Sequence, residues 1–180
     1  MISLTIARKY AKALLEIGRQ EKNHEVLGRD LERLAGLFQE NKELRVVLFS
    51  PFYPAPRRKA IARSVGELLG LAKTTLDFLD LLIERDRMDH FPAMVKSYEG
   101  LADEVSNRLR ASLISAEKLP SPLVGEIKAQ LEFSTGKEVI LSTRENSSLI
   151  GGGITKIGNV IYDGSLKTQL LKAKENLYKE

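Results

Sequence analysis

Cysteine is absent from the 180 residues, which excludes disulfides, thiolate metal ligands and thiol nucleophiles. Histidine is scarce. His24 and His90 are the two present, they stand far apart, and neither has a ligand cluster beside it, so no metal site is expected. Long apolar runs are missing too, and a transmembrane helix needs about 20 consecutive apolar residues. The start of the chain lacks the charged, apolar and small-residue regions of a secretory signal. Residues 1–20 carry Arg8, Lys9, Lys12 and Arg19 on an amphipathic pattern, a composition shared with transit peptides. Glu16 and a strong helical core pattern favour a structural helix instead. Internal repeats and low-complexity tracts are also lacking. Positive charge is never concentrated: the formal net charge is +4, residues 1–107 hold 17 basic and 16 acidic side chains, and residues 108–180 hold 11 and 8. Nucleic-acid binders gather their cations on one face; here both signs are interspersed.

What is present is a globular mixture, 43% hydrophobic and 29% charged, with enough apolar material for a core in each half. Helical periodicity predicts six helices in the first part: about Ser3 (an N-cap) to Gly18, His24 to Glu40, Lys42 to Phe49, Pro56 to Gly70, Ala72 to Arg85, and His90 to Asn107. The pattern then changes. Arg108 to Ser115 alternates as a half-buried strand does. Pro120 and Pro122 precede a helix over about Leu123 to Phe133, and Glu138 to Thr143 reads as a second strand. Ile154–Ile157 and Val160–Tyr162 flank Gly158-Asn159, a two-residue hairpin signal. Ser165 caps a last helix to about Tyr178. The expected fold is an all-α six-helix bundle over 1–107 followed by a small α/β domain over 108–180.

No arrangement of residues points to catalysis. Asp77, Asp80 and Glu84 share one face of helix five, but paired carboxylates do acid–base work only in a pocket that shifts a pKa, and a charge stripe normally faces solvent. Gly151-Gly152-Gly153 lacks the Lys-Ser/Thr of a phosphate loop and precedes a strand, so a turn or bulge is expected. Arg57-Arg58-Lys59 has no interleaved aromatics, which argues against nucleic acid. An acid–base enzyme and an RNA-binding protein remain as alternatives.

The informative feature is the width of two apolar faces. At about 100° per residue, helix one places Leu4, Ile6, Ala7, Tyr10, Ala11, Ala13, Leu14, Leu15 and Ile17 within about 200°. Helix five spreads Ala72, Leu76, Phe78, Leu79, Leu81, Leu82 and Ile83 over about 220°, whereas one buried face needs about 100°. Either both helices are enclosed by their neighbours, or they lie side by side and leave a groove for a helix of another chain. The pattern alone leaves both readings open.

Three segments carry a family likeness. Ile6-Ala7-Arg8-Lys9-Tyr10-Ala11-Lys12-Ala13-Leu14 resembles the opening of the delta subunit of F-type ATP synthases, whose mitochondrial relative is the oligomycin-sensitivity-conferring protein. Leu82 to Pro92 resembles the family's junction between its fifth and sixth helices. Ser148 to Ile154, through Ile161-Tyr162-Asp163-Gly164-Ser165-Leu166, resembles its C-terminal signature. The likeness spans the whole chain in order. It departs at Gly153, where a larger apolar residue is common, at Asn159, where an acid is frequent, and at Lys167-Thr168, in place of Arg-Gly.

The resemblance implies a stator subunit, without catalytic residues, cofactor or metal, that links the catalytic head to the peripheral stalk and resists rotor torque. Helices one and five would bind the N-terminal helices of alpha subunits, carried here onto Ile6, Ala7, Tyr10, Ala13, Leu14, Phe78, Leu79, Leu82 and Ile83. The C-terminal domain would bind b subunits, with Leu166, Leu170 and Leu177 of the last helix as candidates. Contact with the membrane would be indirect, at the cytoplasmic face of a bacterial plasma membrane, with no nucleic acid and no small-molecule substrate. A helical adaptor unrelated to ATP synthase is the alternative.

Overall fold

The computed structural model describes residues 4–158 and 160–177, without the side chains of Ala173, Glu175, Asn176 and Leu177. The expected N-cap Ser3, the turn residue Asn159, the helix end at Tyr178 and the side chain of Leu177 therefore lie outside the described residues. The chain divides into two compact units, 1–102 and 103–180.

The first unit is helical: α1 (Leu4–Gln20), α2 (His24–Glu40), α3 (Lys42–Phe49), α4 (Ala55–Leu69), α5 (Lys73–Glu84) and α6 (Phe91–Val105), with a 3-10 turn at Met88–His90. One apolar cluster draws on every helix, with Ala7, Leu27, Leu48, Ala62, Leu82 and Phe91 among its buried members. Local chemistry punctuates the elements. Asn41 accepts the Leu44 N–H at 3.0 Å and caps α3, and Gly70, at φ +64°, ends α4 in the left-handed region. Gly18 proves not to be a stop. A Cβ there would lie 2.9 Å from the His24 Cα, so glycine serves the close approach of α1 to the start of α2, and α1 continues to Gln20.

Two buried charges fasten α5. Asp30 of α2 accepts the Ala72 N–H and the Thr75 hydroxyl, each at 2.8 Å, at the end of α5 where unpaired N–H groups and the dipole favour an anion. Arg58 of α4 donates to the Leu48 and Ile83 carbonyls, each at 3.4 Å, and to the Asp86 carboxylate. Its cation thus meets the C-terminal carbonyls of α3 and α5, the complementary dipole end. Tyr98 of α6, buried, donates to the His24 carbonyl at 2.7 Å.

The second unit holds β1 (Arg108–Ser115), α7 (Ser121–Thr135), β2 (Glu138–Glu145), a 3-10 turn at Ser147–Leu149, β3 (Gly153–Ile157), β4 (Val160–Asp163) and α8 (Leu166–Leu177). The sheet order is β2-β1-β3-β4. β1 and β2 are parallel, joined through α7, and the other pairings are antiparallel. Register puts Ala111 opposite Leu141 and Ile157, and Leu113 opposite Thr143 and Thr155. Ala111, Leu113 and Val139 are the buried apolar residues of this face. The division at 102/103 falls a few residues before the expected 107/108, inside the last turn of α6, where Asp103 pairs with Arg110 of β1 at 2.6 Å.

The glycine run closes the sheet onto α8. Leu166 N–H donates to the Gly151 carbonyl at 2.9 Å and Gly164 N–H to that of Gly153 at 3.0 Å. Gly152, at φ +72°, has no room for a side chain, because a Cβ there would lie only 2.4 Å from the Gly164 carbonyl oxygen. Asp163 anchors the same turn. Its carboxylate accepts the Ser165 N–H (2.9 Å), the Ser165 hydroxyl (2.7 Å) and the Thr168 hydroxyl (2.8 Å). Hydrogen bonds from Ser165 and Thr168 hold its pKa below the ordinary carboxylate value. Ser165 in turn accepts the Thr168 N–H at 3.3 Å, as an N-cap does.

Candidate functional site

α1 and α5 lie side by side. Tyr10 meets Phe78 with ring centroids 6.4 Å apart, and the Arg87 guanidinium sits 5.5 Å from the Tyr10 ring centroid. At the other end the Thr74 hydroxyl donates to Glu21 at 2.7 Å. Contacts pairing the start of α1 with the end of α5 make the two helices antiparallel. Between them runs an open groove of about 590 Å³. Its apolar lining is Tyr10, Ala13, Leu14 and Ile17 from α1 with Phe78 and Leu81 from α5.

The wide arcs are therefore split lengthwise. On α1, Ala7, Ala11, Leu14, Leu15 and Gly18 face the core. Ile6, Tyr10, Ala13 and Ile17, spaced four, three and four residues apart, form a second strip beside them. Ile6 and Tyr10 are half-buried, while Ala13 and Ile17 are exposed. On α5, Thr75, Phe78, Leu79, Leu82 and Ile83 are buried, and Leu81 is 39% exposed.

This placement corrects part of the expected docking set. Ala7, Leu79, Leu82 and Ile83 are 0–1% exposed and belong to the core cluster, whose members from other helices a single helix's pattern cannot reveal. Tyr10, Ala13, Leu14 and Phe78 line the groove. Ile6 stands on the same strip but outside the lining. Ile17 and Leu81, members of the arcs left out of the expected set, also line the groove. Both lay within the wide apolar arcs of their helices, Leu81 at the edge of its own.

The acidic stripe of α5 is engaged structurally. Arg63 of α4 bonds Asp80 at 2.6 Å and lies 3.9 Å from Asp77, while Lys59 pairs with Glu84. The hydrogen bond from Lys59, with its charge, holds the Glu84 pKa below the ordinary value, the opposite of what a general acid requires. The basic cluster is likewise divided: Arg58 is buried and Lys59 is ion-paired. Among the described residues, no group of three or more His, Asp or Glu could hold a metal ion. No helix among them is long and apolar enough to cross a membrane.

On α8, Leu166 and Leu170 are 45% and 60% exposed, and Leu171 beside them 53%. Leu166 also covers Gly151, where a Cβ would fall 2.6 Å from its Cδ1.

Comparison with known proteins adds the following. The family model described as ATP synthase delta (OSCP) subunit matches residues 6–177. The ATP synthase subunit delta of Desulfatibacillum aliphaticivorans is 40% identical over 177 residues, 98% of this chain and 97% of the relative. That of Geobacter metallireducens is 40% identical over 179 residues, 99% of each chain. Among solved structures, a chain from the Toxoplasma gondii mitochondrial ATP synthase hexamer has the same fold, with a TM-score of 0.70 at 21% identity, covering 96% of this chain and 97% of that one.

Proposed function

This chain belongs to the ATP synthase delta (OSCP) subunit family, and from that premise we propose how it meets its partners. It is a stator subunit, linking the catalytic head of the synthase to the peripheral stalk. In our reading α1–α6 act as one six-helix bundle that holds the head, through an N-terminal helix of an alpha subunit laid in the α1/α5 groove. The single observation that carries this is the open apolar strip left on both walls, Tyr10, Ala13 and Ile17 facing Phe78 and Leu81. An amphipathic helix buries its own stripe in such a groove, and a contact that must outlast many rotor turns depends on slow dissociation.

The second unit would take the b subunits of the stalk on the α8 face that exposes Leu166 and Leu170. Leu177, the third candidate, is at the end of the same helix. The chain itself would carry no catalytic group and no cofactor, and would touch the membrane indirectly, at the cytoplasmic face of a bacterial plasma membrane.

The experiment is titration of the full chain with a synthetic N-terminal alpha-subunit peptide, followed by calorimetry. Binding at micromolar concentration or tighter, lost by at least about tenfold in Ile17→Glu with the melting temperature unchanged, is expected. Failure of the unmodified chain to bind, or undiminished binding by Ile17→Glu, would sink this assignment of the groove.

A further inference from the structure

The two ends of the groove carry opposite charge. Lys9 lines it at the end where Arg87 covers Tyr10. Glu21 and Asp77 line it toward the end where Thr74 bonds Glu21. Two nearby cations bear on this balance. Lys73, exposed at the start of α5, lies close enough to Glu21 to lower its pKa, after the hydrogen bonds from Thr74 and Asn23. Arg63 is 3.9 Å from Asp77, but its nearer partner is Asp80. The sign still changes along the groove, from two cations at one end to two carboxylates and one flanking cation at the other. From Lys9 to Glu21 the helical rise is about 18 Å, the length of about three turns.

A helix is stabilised by its own acidic residues in the first turn and basic residues in the last. Such a helix fits this groove one way round. We propose that the docked helix runs parallel to α1 and antiparallel to α5, its acidic first turn over Lys9 and Arg87 and its basic last turn over Glu21 and Asp77. The proposal rests on the reading of the groove as the seat of an alpha-subunit helix, and adds its direction and charge pattern. The opposite direction would set like charges together at both ends. The dipole of the docked helix favours that reversed placement, but it amounts to about half a unit charge at each terminus against whole charges on the side chains.

The test uses the full chain with methyl-labelled isoleucine and leucine, and the N-terminal alpha-subunit peptide bearing a nitroxide in its first or last helical turn. The first-turn label is expected to broaden the Leu81 methyls and the last-turn label the Ile17 methyl. The reverse pattern overturns the direction while leaving the docking assignment intact. Absence of binding removes both. A dimer of the chain that Ile17→Glu dissociates would show a second copy occupying the groove and would overturn the proposal as well. Independently, the double variant Lys9→Glu/Glu21→Lys, altered at exposed positions, should bind the peptide about tenfold more weakly at low salt. A peptide with its end charges exchanged should recover that loss. Equal affinity of both peptides for both proteins would refute the charge argument.

Discussion

Gly152 and Tyr98 show how single residues set the limits of this fold. Gly152 combines a positive φ with a carbonyl oxygen 2.4 Å from where a Cβ would sit. Gly152→Ala should therefore cost at least about 2 kcal/mol, read as a lower denaturant midpoint for the second unit. The glycine run was legible as a turn rather than a phosphate loop, but its purpose was not, since it depends on a strand and a helix start that meet only in the fold. Tyr98 gives a pH prediction. Burial pushes its phenol up to about 12. Below pH 10 the hydroxyl is protonated in both folded and unfolded chains, so it adds no pH dependence. Between 10 and 12 the unfolded phenol ionises and the folded one stays neutral, so stability falls as pH rises, by up to about 1.4 kcal/mol per unit. Urea unfolding across that range should show the slope, and Tyr98→Phe should flatten it. Asp163 works in the opposite sense. Its lowered pKa gives a contribution that is present above the ordinary aspartate value and lost as pH falls through the lower folded value, and Asp163→Asn should remove that acid-side change.

At the scale of elements, Leu81 and Leu82 are neighbours in sequence with opposite fates. Leu82 is fully buried and Leu81 is 39% exposed in the groove wall. Leu82→Ala should lower stability by about 2–5 kcal/mol. Leu81→Ala should cost under about 1 kcal/mol of stability yet weaken binding of the alpha-subunit peptide, as calorimetry and thermal melts on the same two proteins would show. The widths of the α1 and α5 apolar arcs announced surfaces beyond one core contact. Where the core ends and the groove begins could not be read from a wheel, because that line is drawn by side chains of other helices. The carboxylate stripe of α5 had the same difficulty: its partners Arg63 and Lys59 lie on α4, and periodicity within one helix gives no sign of them. Helix positions were read more closely, because boundary residues such as Gly70, which ends α4, and Ser165, which caps α8, act on their immediate neighbours.

For the whole molecule, the change from helical to alternating pattern near residue 107 was visible in sequence, while the ion pair that joins Asp103, in the last turn of α6, to Arg110 of β1 was not. If each unit holds a different partner, the two contacts should be separable. In a capture assay with immobilised alpha-subunit peptide and soluble b subunit, Leu170→Glu should abolish b-subunit recruitment and leave peptide affinity within about twofold. Ile17→Glu should do the reverse. Loss of both contacts in either variant would count against the division of labour. The fastening of α5 bears on how such a molecule carries load. Asp30 grips the beginning of this helix and Arg58 its end. Greasy surfaces alone can creep past one another, since sliding by a turn exchanges similar contacts at little expense. A rod pinned at both tips by directional bonds has no such shallow path, so a pull on the groove wall must break the pins or pass, undiminished, into the body behind it.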